Sequence, residues 1–146
     1  MIKKNKFLSF FILILFSFSL AAEDFSKSAS DFFVLAEKEI EEENWYSAYQ
    51  YLLETVTKNP DYQKAWFLLA ECSYQLDEFA LTLSYLENAE KYFPSDSKIL
   101  NLRGMTYISL GKTLEAEKIF DEVLKIYPND VTARFGRAEL FLLNGK

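Results

Sequence analysis

The sequence predicts an all-α protein, a right-handed superhelical solenoid of antiparallel helix pairs, and three observations carry that prediction. The only three prolines, Pro60, Pro94 and Pro128, stand 34 residues apart. Between them, large and small residues return in the same register. Apolar residues also follow helical spacing twice within each unit. A fixed period of this length marks units that cannot bury an apolar face alone and must stack on their neighbours.

The elements follow in order along the chain. Residues 1–22 read as a secretory signal peptide, with Lys3, Lys4 and Lys6 at the start, an apolar stretch from Phe7 to Leu20, and Ser19-Leu20-Ala21 as the small-x-small cleavage pattern. The cut is expected after Ala21 or Ala22. The competing reading is an uncleaved membrane anchor, although Phe7 to Ala22 is only 16 residues, against the roughly 20 that a spanning helix needs. No cysteine follows the apolar run, so lipid attachment is not expected there. Residues 23–28 form a short linker, and residues 29–146 form one domain with repeats at 29–62, 63–96 and 97–130 and a partial fourth at 131–146.

Helices are expected near 30–43, 46–58, 63–76, 79–92, 97–110, 113–126 and 131–143. In the second repeat Trp66, Leu69, Ala70, Ser73 and Leu76 mark one amphipathic face, and Phe79, Leu83, Leu86 and Ala89 mark another. Small residues at the eighth place of a repeat (Ala36, Ala70, Gly104) and the twentieth (Ala48, Thr82, Ala116) let paired helices approach. Larger ones recur at the fourth place (Phe32, Trp66, Leu100) and the twenty-fourth (Leu52, Leu86, Phe120). Asp77 and Gly111 stand at the turns inside repeats 2 and 3. Each proline follows a second helix, where it stops the helix without breaking one.

These residues resemble the tetratricopeptide repeat (TPR), whose pattern runs W-x-x-L-G-x-x-Y, A-x-x-x-F-x-x-A and a closing P. Repeat 2 carries Ala65-Trp66-Phe67-Leu68-Leu69-Ala70, and repeat 3 carries Leu102-Arg103-Gly104-Met105-Thr106-Tyr107 followed by Glu115-Ala116. The resemblance covers Ala29 to Lys146 and implies a TPR-like scaffold that binds other proteins. The chain departs from the pattern at the eleventh place, where Glu39 and Ser73 replace the usual Tyr. Arg134 and Arg137 take places in the last unit that are otherwise apolar, which suits a final helix with one face toward water. Phe141 does not suit it: either the protein is cut short or another chain covers this end, and dimerisation or partner docking is expected there.

Little in the sequence supports chemistry. Histidine is absent and there is one cysteine, which removes the commonest general base and metal ligand and any disulfide within the chain. Cys72 has no evident activating charge beside it and reads as a packing residue. Glu37, Glu39, Glu41, Glu42 and Glu43 lack calcium-loop spacing and read as a solvated helix end. No phosphate loop, nucleophile elbow or dinucleotide fingerprint is found. Neither catalytic, cofactor nor metal sites are therefore expected, and the reading is non-enzymatic. With 16 basic against 22 acidic residues the net charge is −6, and loss of the leader leaves 13 against 22, or −9. Nucleic-acid binding is disfavoured by that sign.

The resemblance implies a concave groove lined by first-helix residues. Carried over, these include Phe33 and Glu37 in repeat 1, Phe67, Glu71 and Tyr74 in repeat 2, Asn101, Met105 and Ile108 in repeat 3, and Phe135, Glu139 and Leu142 in the last helix. Family members that clamp a peptide's terminal carboxylate have Lys and Asn where this chain has Phe33 and Glu37. An apolar groove edged with acids suits a protein or peptide segment with apolar side chains and some Lys or Arg. The competing reading is that part of the aromatic stripe is interhelical packing. The expectation is a non-catalytic adaptor exported to the periplasm or envelope of a bacterium. Its alternative is a subunit tethered to the membrane by residues 7–22, docking in a larger complex by its convex face or C-terminal end. A homo-oligomer through the C-terminal helix is the third partner expectation.

Overall fold

In a computed structural model the chain is described over residues 27–143 and at Gly145. The leader expected at 1–22, the linker expected at 23–28 apart from its last two residues, and the ends of the expected fourth repeat at 144 and 146 lie outside the described residues. Seven helices follow one another: α1 (Ala29–Glu41), α2 (Trp45–Lys58), α3 (Gln63–Gln75), α4 (Phe79–Tyr92), α5 (Ser97–Ser109), α6 (Thr113–Ile126) and α7 (Val131–Leu143). No strand occurs among the described residues. Helices pair as α1 with α2, α3 with α4 and α5 with α6. The pairs stack through α2 on α3 and α4 on α5, and α7 closes on α6 and α5. This is the all-α, TPR-like solenoid expected from the sequence.

The helix ends show why the periodicity works. Ser28 caps α1 in a reciprocal box, accepting from the Asp31 N–H at 3.3 Å while Asp31 accepts from the Ser28 N–H at 2.8 Å. Inside each repeat the first helix ends on a left-handed residue: Glu43 (φ 57°), Asp77 (φ 59°) and Gly111 (φ 70°). In all three turns the next residue's N–H bonds five residues back, Asn44 to Glu39, Glu78 to Ser73 and Lys112 to Tyr107, each at 2.8 Å. That is the Schellman closure, which supplies partners to the last carbonyls of the helix. Glu43, expected inside the first helix, is thus outside it, because the closure needs a residue with positive φ at that place.

Three clusters make up the core. Phe33, Ala36, Ala48, Leu52, Val56, Ala65, Leu69 and Cys72 join the first repeat to the second. Ala70, Leu86, Ala89, Ile99 and Leu102 join the second to the third. Leu100, Ala116, Phe120, Val123, Ala133 and Leu140 fasten α7. Phe120 is fully buried and wedged between two helices stripped of side chains at the point of contact. A Cβ on Gly104 would stand 2.6 Å from its ring, and one on Gly136 would overlap it. The large-against-small recurrence seen in the sequence is this wedge.

Two features are polar where the repeat pattern expects apolar packing. Arg103 Nη2 lies 2.8 Å from Glu90 Oε1 across α4 and α5. The pair has ionic contact but not hydrogen-bond alignment, since Arg103 Nε and Nη2 and Glu90 Oε1 all lack a hydrogen-bond partner. Burial raises the Glu90 carboxyl above its ordinary pKa, with Arg103 opposing the shift. On α7, Arg137 pairs with Glu117 at 3.5 Å and with Asp121. Arg134 Nη2 donates to the carbonyl of Pro128 at 2.8 Å. Both arginines therefore fold back on the α6 end of the molecule.

Candidate functional site

The first helices of the repeats define the inner surface. Their inward residues, together with the turns that precede α5 and α7, enclose an open cleft of about 1050 Å³. Phe33, Glu37 and Ile40 come from α1, and Phe67, Glu71 and Tyr74 from α3. Asn101 and Met105 come from α5 and Thr132 from α7. Helical spacing within each element and the 34-residue period between elements bring these side chains to one face.

Seven of the residues expected in the groove line this cleft: Phe33, Glu37, Phe67, Glu71, Tyr74, Asn101 and Met105. They do not do so equally. Phe33 is only 6% exposed and its ring lies 4.6 Å from that of Tyr62, so it is floor and core at once. Phe67 and Tyr74 are half-buried and offer edges to the cleft while packing on the second core cluster. Tyr74 is steadied by Phe79, 5.6 Å away between ring centres. Ile108 packs against the third core cluster instead. Phe135, Glu139 and Leu142 stand on α7 outside the cleft, exposed, as does Phe141.

Charge in the cleft is mixed rather than acidic alone. Glu37 and Glu71 are accompanied by Lys64 and Lys98, and by Asp96 and Asp130 from the turns. Burial raises the Glu71 carboxyl above its ordinary pKa of 4.5, and the charge of Lys98 partly opposes that. Glu71 is thus a carboxylate short of a partner. Burial also pushes the Cys72 thiol up to about 12, with Glu71 adding to it. Cys72 is fully buried, and its thiol stays protonated and inert near neutral pH.

Asn101 carries the least satisfied polar group of the cleft. It is 5% exposed and its amide nitrogen donates to Asp130 Oδ1 at 2.9 Å. Asp130 also accepts from the Ala133 N–H at 2.8 Å, capping α7. That network fixes which way the amide points, and Asn101 Oδ1 is left without a hydrogen-bond partner. A buried acceptor in that state is expensive unless something donates to it. The sequence reading missed Asp96 and Asp130. The signal was present: an Asp at the same place of successive repeats, just before a helix, is an N-cap.

Comparison with known proteins agrees with this geometry. A family model described as Tetratricopeptide repeat matches residues 97–130. That stretch is the third of the repeats expected from the sequence, so it carries the tetratricopeptide-repeat match directly. Among solved structures, the first TPR of Spaghetti (RPAP3) bound to the HSP90 peptide SRMEEVD superposes with a TM-score of 0.73 at 21% identity, covering 83% of this chain and 96% of that one. Residues 41 to the end of MamA from Desulfovibrio magneticus RS-1 superpose with a TM-score of 0.77 at 11% identity, covering 85% of this chain and 70% of that one. The aspartyl/asparaginyl beta-hydroxylase of Mus musculus is 38% identical over 53 residues. That match spans 36% of this chain and only 7% of the mouse protein's length, so nothing of the enzyme's activity comes with it. The fold shared with these structures is a TPR-like helical solenoid.

Among the described residues no group of His, Cys, Asp and Glu could hold a metal ion. No described helix is long and apolar enough to cross a membrane.

Proposed function

We propose that this TPR chain is a non-catalytic adaptor, exported across a bacterial membrane by the leader read in residues 1–22, and that it holds a peptide segment of another protein in the α1–α3–α5 cleft. The observation that carries the groove reading is the run of half-buried Phe67, Tyr74 and Met105 that walls one open cleft together with Glu37 and Glu71. The rings take apolar side chains, and Glu37 and Glu71 take a Lys or Arg of the ligand. Lys64 and Lys98 sit on the same surface, so a basic side chain is favoured next to α1 and the start of repeat 2's acid, and not along the whole groove. The carboxylate-clamp mode remains disfavoured because Phe33 and Glu37 stand where its Lys and Asn would be.

The alternative is a membrane-tethered subunit docking by its C-terminal end. The exposed side chains of Phe135, Phe141 and Leu142 favour it. One experiment separates the two: crosslinked recovery of the protein from its native cells, with intact-mass analysis of the bait. A bait that begins at Ala22 or Glu23, with a principal partner lost on changing Phe67 and Tyr74 to Ala, supports the adaptor. A bait that begins at Met1, with a partner indifferent to those changes, contradicts it.

A further inference from the structure

The cleft repeats one pattern along its length. Phe33, Phe67 and Asn101 stand 34 residues apart, and so do Glu37, Glu71 and Met105, four places further along α1, α3 and α5. Two rows therefore run side by side across the three helices, one of rings and one of acids, and both change character at α5. These helices are neighbours. The Phe33 ring lies 4.6 Å from that of Tyr62, which immediately precedes α3, and the Tyr74 hydroxyl lies 3.3 Å from that of Ser109 on α5. Packed helix axes stand about 8–10 Å apart, so a ligand crossing α1 and α3 meets a like group at that interval.

The interval selects a backbone. In a β-strand, residues three apart span about 10 Å but point to opposite faces, and those two apart on one face span only about 6.8 Å. A polyproline II helix has three residues per turn and a rise of about 3.1 Å, so residues i and i+3 share a face and stand about 9.3 Å apart. An α-helix covers about 10.5 Å between i and i+7, but it needs about 14 residues to cross three helices, and a rod of that length about 10 Å wide encloses roughly 1,600 Å³. The open cleft measures about 1050 Å³. About seven residues of polyproline II make the same crossing. The bare carbonyls of that backbone find donors in Lys64, Gln75 and Lys98, which line the cleft, whereas an α-helix already bonds its own carbonyls.

We propose that the ligand of this cleft is a polyproline II segment, with apolar residues, Pro among them, at every third place against Phe33 and Phe67, and with Lys or Arg at two places i and i+3 against Glu37 and Glu71. The inference rests on the cleft being the ligand site, as proposed above, and adds the backbone form and the spacing of the charges. Two basic residues fit rather than three, because Met105 takes the third place in the acid row and suits an apolar side chain. A segment of this kind has little conformational freedom left to lose and packs its pyrrolidine rings on aromatic edges.

The test is a fluorescence titration of the full chain with three dye-carrying peptides of one length and one net charge. The first has Pro at every third place and its two Lys three residues apart. The second replaces Pro by Ala and Leu so that it forms an α-helix, with its Lys seven apart. The third keeps Pro but sets the Lys two apart. The first should bind at least about fivefold more tightly than the second, being already close to its bound form, and about threefold more tightly than the third, the worth of one exposed charge pair. Glu37→Gln, at an exposed position, should remove the difference between the first and the third with helical content unchanged. Tighter binding of the helical peptide, or equal binding of the first and the third to the parent chain, overturns the proposal. If that binding is still lost on changing Phe67 and Tyr74 to Ala, the cleft stands as the ligand site and only the ligand's form is wrong. Binding that ignores those two changes, or no binding of any peptide, overturns the cleft reading together with this one.

Discussion

Phe67 and Phe135 hold the same place in two repeats of one solenoid, yet one is half-buried in a cleft and the other is 76% exposed. The difference lies in their neighbours and not in their own sequence. Phe67 has α1 on one side and α5 on the other, so its inner face is closed into a groove. Phe135 is on the last described helix and has structure on one side only. Position in a repeat thus names a face, and stacking decides whether that face becomes a site, a core or an open surface.

The comparison can be broken most severely at the wedge that fixes α7. Phe120→Ala should cost about 3–5 kcal/mol in urea denaturation, because it empties a site that two glycines have been shaped to fit. A loss under about 1 kcal/mol would mean that α7 is not held as described. Next in size is the pair itself. Phe67→Ala should destabilise by about 1–2 kcal/mol as a half-buried aromatic, whereas Phe135→Ala should stay within about 0.5 kcal/mol of the parent. Equal losses in the two variants would remove the contrast.

Turn substitutions sharpen it further. Glu43→Gly and Asp77→Gly, at left-handed positions that Gly111 already fills in the third repeat, should each raise stability by roughly 0.5–1 kcal/mol. Thermal melts at several urea concentrations would register either gain. The smallest effect is a pH dependence within the cleft. Because burial raises the folded-state pKa of Glu71, its contribution to stability is fully present below 4.5 and is lost as pH rises through the folded value. Glu71→Gln should flatten that decline, leaving the variant relatively more stable near pH 7 than the parent is. A bound Lys or Arg stabilises the ionised form, so ligand affinity should rise with pH over the same interval and binding should release a proton.

Much of this was legible in the sequence because repetition multiplies weak signals. One proline says little, but Pro60, Pro94 and Pro128 in register, with Phe32, Trp66 and Leu100 between them, left one architecture. Helix ends were legible where Gly111 or Asp77 stood at the turn and not where Glu43 did, since Glu has no preference for positive φ. Ile108 shows a related limit: the repeat pattern gives the face of a helix but not how a side chain on it divides between core and cleft, as Met105, which touches both, also shows. Asn101 shows the limit most clearly. Its place in the groove followed from the period, but the acceptor left open by Asp130 depends on a contact 29 residues away, which no local pattern encodes.

The most direct test of the groove is a fluorescence titration of the full chain with short apolar peptides of one length, carrying Lys and Arg in one set and Asp and Glu in the other. The basic set should bind more tightly at neutral pH, and Phe67→Ala/Tyr74→Ala should weaken it at least about tenfold, the equivalent of about 1.4 kcal/mol. Tighter binding of the acidic set, or equal affinity in the double variant with its fold intact, would contradict the account.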